Sequence, residues 1–150
     1  MGTNEQVPER MELTSSLSEL ARAWEWVEGI ADRHGLHPDT RFAIHLCIEE
    51  AFANTVIHGY RNQAGYPVRL TATVLKGQLT FTMEDQAPPF IPALEPEATG
   101  PDAVPDLESI VPGGNGIRLM RQFAAKVIYE PLEVGNRLTL SFPCVGPRLA

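Results

Sequence analysis

The chain has 150 residues, of which 43% are hydrophobic and 21% charged, and its net charge at pH 7 is -7. This length and composition predict one domain over 1–150 with a single hydrophobic core. The negative charge argues against direct contact with nucleic acid. The sequence has no apolar run of membrane-spanning length and no pattern of a signal peptide. Its two cysteines are interpreted as free buried thiols. Together these features lead us to expect a cytoplasmic protein.

The first part of the chain is predicted to form a short strand and a helix. The strand should end near Leu13. The segment Thr14-Ser15-Ser16, followed by Glu19, is typical of a helix start. Apolar residues then recur at every third or fourth position, which predicts an amphipathic helix over 16–34.

A second helix is predicted to begin at Pro38-Asp39 and to run to about Ile57, where His58-Gly59 ends it. At 100° per residue, Glu50 and Asn54 lie one turn apart in the middle of an apolar arc, and His58 extends this ridge by another turn. A carboxylate in an apolar arc must be paired, protonated or exposed to a ligand cleft. Two interpretations stay open. Either Glu50 and Asn54 hydrogen-bond a backbone group or another buried side chain, with His58 as a helix cap, or the three residues form one wall of a ligand site.

The same helical projection places His45 and Glu49 on a different edge of the second helix. This edge is expected to be polar and solvated. Glu50, and not its neighbour Glu49, is therefore the candidate site carboxylate.

The second half of the chain is predicted to contain four strands and one helix. Strands at 68–76 and 79–83 flank a turn at Gly77-Gln78. Residues 86–114 hold more than half of the 13 prolines and no Lys or Arg, which indicates a functional loop with a lid at about 91–113. A helix at 117–125 and a hairpin of 126–130 and 137–142 follow. This order predicts an α+β fold, a two-layer sandwich with helices on one face of a mixed, largely antiparallel sheet.

Four motifs carry a family resemblance. The string EAFANTVIHGY at 50–60 resembles the N-box of the GHKL, or Bergerat-fold, ATPases, and looks most like that of the anti-sigma-factor serine kinases of the RsbW and SpoIIAB type. The strings DQAPPF at 85–90, GGNGI at 113–117 and GNRLTL at 135–140 are similar to the later motifs of that family, in the same order. The match covers about residues 8–142, and four motifs in order make a strong signal.

The resemblance implies the Bergerat ATP-binding fold with ATP and Mg²⁺ as cofactors. Asn54 would supply a neutral amide oxygen, which is an acceptable ligand for Mg²⁺. Glu50 would accept a proton from an attacking hydroxyl as the catalytic base. Asp85 would accept a hydrogen bond from the adenine amino group; the alternative is that it caps backbone amides. The implied ATP-binding residues are Asn54, His58, Asp85, Ala87, Phe90, Gly113, Gly114, Asn115, Gly116, Ile117 and Thr139.

The sequence departs from the family pattern at Ala87, where the family has glycine. Glycine permits a positive φ and a close backbone approach, so alanine is expected to weaken adenine binding. With no basic residue in the lid, phosphate would be neutralised by Mg²⁺ and by the backbone dipoles of the glycine-rich turn before the third helix.

Two functions follow from these residues. The first is a serine-protein kinase that phosphorylates an anti-sigma-factor antagonist of the STAS type and sequesters a sigma factor. The alternative is a regulatory interaction module that binds ATP weakly or not at all. A histidine-kinase catalytic domain and the larger gyrase-like or chaperone ATPases are disfavoured by the layout and length of the sequence. The apolar stripe of the first helix permits a homodimer.

Overall fold

The computed structural model describes residues 8–89 and 116–144, with the side chains of 116–119 left out. Its elements, in chain order, are β1 (Glu9–Thr14), a 3-10 turn (Leu17–Glu19), α1 (Leu20–Arg33), α2 (Pro38–Asn54), a π-helical turn (Thr55–Gly59), β2 (Pro67–Leu75), β3 (Gln78–Asp85), α3 (Gly116–Phe123), β4 (Lys126–Pro131) and β5 (Asn136–Pro143).

The described strands form one five-stranded sheet in the order β1-β2-β3-β5-β4, and all of its pairings are antiparallel. The predicted α+β fold is therefore confirmed. The β2–β3 hairpin turns through Lys76 and Gly77, which have φ values of 53° and 77°. These left-handed conformations are those of a two-residue hairpin loop, so the turn lies one residue earlier than predicted.

The hydrophobic core lies between the helices and one face of the sheet. Every second residue of a strand points toward the helices, because successive side chains of a strand lie on opposite faces of the sheet. The largest fully buried core side chains include Phe52 from α2, Leu70 from β2, Phe81 from β3 and Leu140 from β5. This packing gives the predicted two-layer sandwich.

The start of α1 was predicted from its capping residues. Glu19 accepts a hydrogen bond from the backbone N–H of Thr14 at 2.9 Å, and Ser16 accepts one from Ser18. The Ser16 contact satisfies an N–H group that a helix start leaves unpaired, and the Glu19 contact ties the helix start to the end of β1. The helix opens with a 3-10 turn and becomes α-helical at Leu20.

The end of α2 differs from the prediction. The α-helix ends at Asn54 and continues as one π-helical turn, closed by a 2.8 Å hydrogen bond from Tyr60 N to Thr55 O. A π turn is wider than an α turn, so the 100° step that placed His58 on the Glu50–Asn54 ridge does not apply there. Such turns are frequent at functional sites.

The prediction of a solvated polar edge on α2 was wrong for His45. Glu49 is exposed, but His45 is only 8% exposed. Its ring stacks on Trp24 of α1 at 3.5 Å between centroids, and its Nε2 lies 2.6 Å from Glu28 Oε2. The packing of α1 against α2 buries this edge, which a projection of one helix does not include.

None of the helices in the described ranges is both long enough and apolar enough to cross a membrane.

Candidate functional site

Glu50 and Asn54 occupy the last two turns of α2. Because they are four residues apart on an α-helix, their side chains lie on the same face. Glu50 is half-buried, and this burial raises the pKa of its carboxyl group, with a smaller contribution from the charge of Glu49. A carboxyl with a raised pKa is a better proton acceptor than an ordinary surface carboxylate, which suits a general base.

Asn54 holds the unsatisfied polar atom of this site. Its side chain is 6% exposed, and its Oδ1 is buried without a hydrogen-bond partner among the residues described. An unpaired buried acceptor costs about 1–3 kcal/mol, so such atoms are uncommon in folded proteins. A neutral, hard oxygen held in this way fits a Mg²⁺ ligand.

His58 lies within the π turn and is exposed. It lines a cavity of about 340 Å³ together with Tyr60, Arg61 and Ala87. Two of the predicted ATP-binding residues, His58 and Ala87, are therefore brought together at one cavity, although they lie 29 positions apart in the sequence.

Tyr60 connects the end of the π turn to the end of β3. Its hydroxyl accepts a hydrogen bond from the backbone N–H of Gln86 at 2.7 Å and donates one to Pro67 O at 2.7 Å. Its ring stacks on Tyr66 at 5.1 Å. These contacts fix the segment that follows Asp85 against the helix that carries Asn54.

Asp85 ends β3 and is 6% exposed. Its Oδ1 accepts hydrogen bonds from Asn136 Nδ2 at 2.8 Å and from the backbone N–H of Ala87 at 2.9 Å. Burial raises the pKa of this carboxyl, while both hydrogen bonds act in the opposite direction. The aspartate does cap a backbone amide, as the alternative interpretation proposed. It does not line the cavity of His58 itself, but it is hydrogen-bonded to Ala87, which does. Asp85 itself lines a separate cavity of about 160 Å³ with Arg69 and Glu84.

Asn136 is the residue of this site that the sequence did not reveal. It begins β5 opposite Asp85 and is 2% exposed. Besides the bond to Asp85, its Nδ2 lies 3.1 Å from Ala87 O and 3.3 Å from Pro88 O, and its Oδ1 accepts a hydrogen bond from the hydroxyl of Tyr129. Asparagine is depleted in strands. Its place directly after Gly135 was the available signal, but only the strand register pairs it with Asp85.

Gly135 lets β5 approach the end of β3. Its φ is +95°, and a Cβ at this position would lie 1.7 Å from Asp85 O. Any side chain here would collide with backbone, so the residue is glycine for two independent reasons.

Ala87 replaces the family glycine without taking a left-handed backbone. Its φ is not positive, and the residue is 2% exposed. The conformational need that would demand glycine at this position is absent.

The structure does not bring every predicted residue to this site. Thr139 pairs with Thr82 on the sheet and lines a cavity with Arg69 and Arg137, residues of the face that points away from the helices. Strand alternation explains this, since the even-numbered neighbours Asn136 and Leu140 face the helices. Phe90, Gly113, Gly114 and Asn115 lie outside the described residues. Gly116 and Ile117 begin α3, where the backbone alone is described.

The comparisons with known proteins identify the family. Residues 13–142 match the family model of the histidine kinase-like ATPase domain, so the chain belongs to that family and its resemblance to the GHKL ATPases is confirmed. Among relatives, the chain is similar to the serine/threonine-protein kinase BtrW of Bordetella bronchiseptica, with 29% identity over 131 residues, 87% of this chain and 90% of that protein.

Solved structures support the fold. The RsbU and RsbW domains of Rv1364c from Mycobacterium tuberculosis match 92% of this chain with a TM-score of 0.66 at 13% identity, and this chain spans about a third (32%) of that one. A blue-light activated histidine kinase of Erythrobacter litoralis matches 85% of this chain and 41% of its own, with a TM-score of 0.53 at 19% identity. These structures bear on the fold alone, and the family model makes the chain a histidine kinase-like ATPase domain.

Proposed function

We propose that the protein is a Mg²⁺- and ATP-dependent serine kinase that phosphorylates an anti-sigma-factor antagonist and sequesters a sigma factor in the cytoplasm. The observation that carries the proposal is the pair on α2: a desolvated carboxylate, Glu50, one turn from the unpartnered buried oxygen of Asn54. The similarity to a serine/threonine-protein kinase over nearly its whole length supports the same activity.

The residues fit a Mg²⁺ ion bound with ATP. Among residues 8–89 and 116–144, no cluster of three or more His, Cys, Asp or Glu side chains suits a metal. Mg²⁺ in ATP-dependent enzymes needs only one or two protein oxygens, with phosphate and water completing the shell. Asn54 Oδ1 is the proposed protein ligand. When bound, the ion would neutralise phosphate charge.

Phosphoryl transfer requires little covalent chemistry from the protein, which mainly positions the reactants and stabilises charge. Glu50 accepts the hydroxyl proton of the substrate serine, the serine oxygen bonds to the γ-phosphorus, and the bond from that phosphorus to the β–γ bridging oxygen breaks to release ADP. Asp85, held by Asn136, accepts a hydrogen bond from the adenine amino group. His58 and Ala87 line the cavity beside it.

The alternative function is a regulatory module that binds ATP weakly. The substitution at Ala87 favours it, because a buried alanine occupies space that glycine would leave open. The contacts of Asp85 favour ATP binding, since two hydrogen bonds to its Oδ1 fix the position of a recognition carboxylate.

Transfer of radiolabelled phosphate from Mg-ATP to a candidate antagonist protein tests the kinase function. Glu50→Gln should lower the transfer rate by at least about 100-fold, the usual scale of a lost general base. Glu133→Gln is the control, because its carboxylate is exposed in the turn between β4 and β5 and is no part of the proposed catalytic pair. Equal rates for Glu50→Gln and wild type would exclude Glu50 as the base. Absence of transfer by wild type, with Mg-ATP bound, would favour the regulatory module.

A further inference from the structure

The outer surface of the three described helices carries a strip of exposed aromatic rings, named here the aromatic strip: Trp24 of α1, Phe42 of α2 and Phe123 of α3. They are 50%, 59% and 37% exposed. Phe42 and Phe123 make an edge-to-face contact with centroids 5.8 Å apart. Trp24 stacks on His45, which lies one helical turn after Phe42. The rings thus form two contacting pairs on the outer side of three helices, and the pairs lie one helical turn apart on α2.

The aromatic strip is held rigidly although it is exposed. The ring of Trp24 lies 15° from parallel to that of His45, whose Nε2 contacts Glu28 at 2.6 Å. Arg41 in turn binds Glu28 at 3.3 Å and Asp32 at 2.8 Å, which ties α2 to α1. Rings fixed before binding lose little conformational entropy when a partner covers them.

Core packing does not account for these rings. Half or more of the side chain of Trp24 and of Phe42 is open to solvent, and contiguous exposed apolar surface is typical of interaction sites. Large aromatic side chains contribute more binding energy at interfaces than most other residues. The aromatic strip thus has the composition and order of a docking surface.

The charges around the aromatic strip indicate what docks there. Exposed carboxylates border it on α1 and α2, and Glu25 and Glu49 have no ion-pair partner among the described residues. Asp39 adds a third carboxylate one turn before Phe42. Among the α3 side chains that the structure describes, Arg121 is an exposed guanidinium, while Arg22 on α1 and Arg41 on α2 are already paired with acidic side chains. A second copy would bring carboxylates against carboxylates, whereas a basic partner would complement them.

The aromatic strip lies close to the proposed base along α2. Phe42 precedes Glu50 by eight residues on α2, or about 12 Å along the helix axis. Glu49 borders the strip and is adjacent to Glu50. A protein docked on these rings would lie beside the carboxylate that accepts its proton.

We propose that the aromatic strip docks the protein substrate through an amphipathic helix whose apolar face is flanked by Lys and Arg. This inference rests on the proposed function for the role of the docked protein as substrate, but binding by the strip is tested separately. The apolar face covers Trp24, Phe42 and Phe123, and the basic flanks pair with the carboxylates of Glu25 and Glu49.

The test uses two fluorescein-labelled synthetic peptides of about 18 residues, long enough for a stable amphipathic helix. Both have leucines at helical spacing; one has Lys and Arg on the flanks and the other has Glu. Fluorescence anisotropy with the full chain should give saturable binding of the basic peptide, weaker by at least about 10-fold for Phe42→Ser and for Phe123→Ser. Leu75→Ser is the matched control, because Leu75 is 50% exposed on the β2–β3 hairpin.

Three results would overturn the docking proposal. These are no saturable binding of the basic peptide, equal affinity for both peptides, or unchanged affinity in both serine variants. A shift from dimer to monomer in Phe42→Ser by analytical ultracentrifugation would identify a second copy as the occupant and would also overturn it. Mg-ATP affinity of Phe42→Ser should equal that of wild type; failure of wild type to bind Mg-ATP would count against the proposed function, not against the aromatic strip.

Discussion

The two ends of the candidate site differ in how far their polar side-chain atoms find hydrogen-bond partners within the fold. At the end of β3, the carboxylate of Asp85 accepts hydrogen bonds from Asn136 and from the Ala87 backbone. On α2, Asn54 Oδ1 is buried with no partner in the described part of the chain, and Glu50 is desolvated beside a like charge. At the first end, the protein itself supplies the hydrogen-bond partners. At the second end, the unpartnered polar groups lower the stability of the fold until a ligand binds to them.

This difference separates recognition from chemistry. A carboxylate fixed by surrounding donors presents one geometry to a ligand and contributes to folding. An unpaired oxygen and a desolvated carboxylate reduce stability, and proteins keep such groups mainly at functional sites. Substitutions at the Asp85 end should therefore weaken folding, whereas substitutions at the Asn54–Glu50 end should weaken function and leave folding intact.

The largest loss of stability is expected for Gly135→Ala. The new Cβ would meet Asp85 O at 1.7 Å, in a backbone with φ of +95°. The free energy of unfolding should fall by about 4 kcal/mol or more, or the variant should not fold. Gly77→Ala is the control, because Gly77 also has a positive φ but no atom within 4 Å of the added Cβ. Urea denaturation that gave equal losses for the two variants would contradict the close contact at Asp85.

Asn136→Ala should have the next largest effect. It removes the side-chain donor to Asp85 Oδ1 and leaves that buried carboxylate with backbone N–H groups, those of residues 87 and 136, as its donors within this cluster. A loss of about 2–3 kcal/mol of unfolding free energy is expected. Ser141→Ala, which removes one neutral hydrogen bond to Thr80, should cost about 1 kcal/mol. If both variants lost the same small amount in chemical denaturation, Asn136 would not hold Asp85.

Glu50→Gln should have the smallest effect on stability, and it should raise the free energy of unfolding where the other two variants lower it. Burial raises the folded-state pKa of Glu50 above its ordinary value of 4.5. The folded state then holds more protons than the unfolded state between these two pKa values, so this residue lowers stability as the pH rises through that window. Glu50→Gln removes the loss, and its melting temperature should exceed that of wild type at pH 7.

Thermal melts from pH 4 to pH 8 measure the difference. The melting curves of Glu50→Gln and wild type should converge toward low pH and separate as the pH rises. Glu49→Gln should give a smaller shift, because Glu49 is exposed and acts on Glu50 only through its charge. A variant less stable than wild type at pH 7 would mean that Glu50 is satisfied in the folded protein.

The sequence predicted much of this architecture from local patterns. Periodicity located the helices and strands within a few residues, and the choice of Glu50 over Glu49 followed from the regular geometry of one α-helix. The prediction for His45 was wrong because burial there comes from α1, a neighbour that a single helix does not reveal. Likewise, the π turn changed the position of His58 because the sequence carries no simple signal for a wider turn.

The contacts across the sheet were beyond sequence reasoning. Asn136 meets Asp85 only through the β3–β5 register, and the same register directs Thr139 to the opposite face. Motifs name the positions that matter in a family, but strand alternation decides which side chain in a motif reaches the site.

The binding of ATP to wild type and to Asn54→Leu, with Mg²⁺ and with a chelator, tests the central claim most directly. Leucine replaces the unpaired oxygen by apolar surface, so the variant should be as stable as wild type or more stable. Isothermal titration should show Mg²⁺-dependent ATP binding to wild type, and a loss of at least about 10-fold in Asn54→Leu with no remaining Mg²⁺ dependence. Equal Mg-ATP affinity in the two proteins, or no binding to wild type at millimolar ATP, would contradict the account.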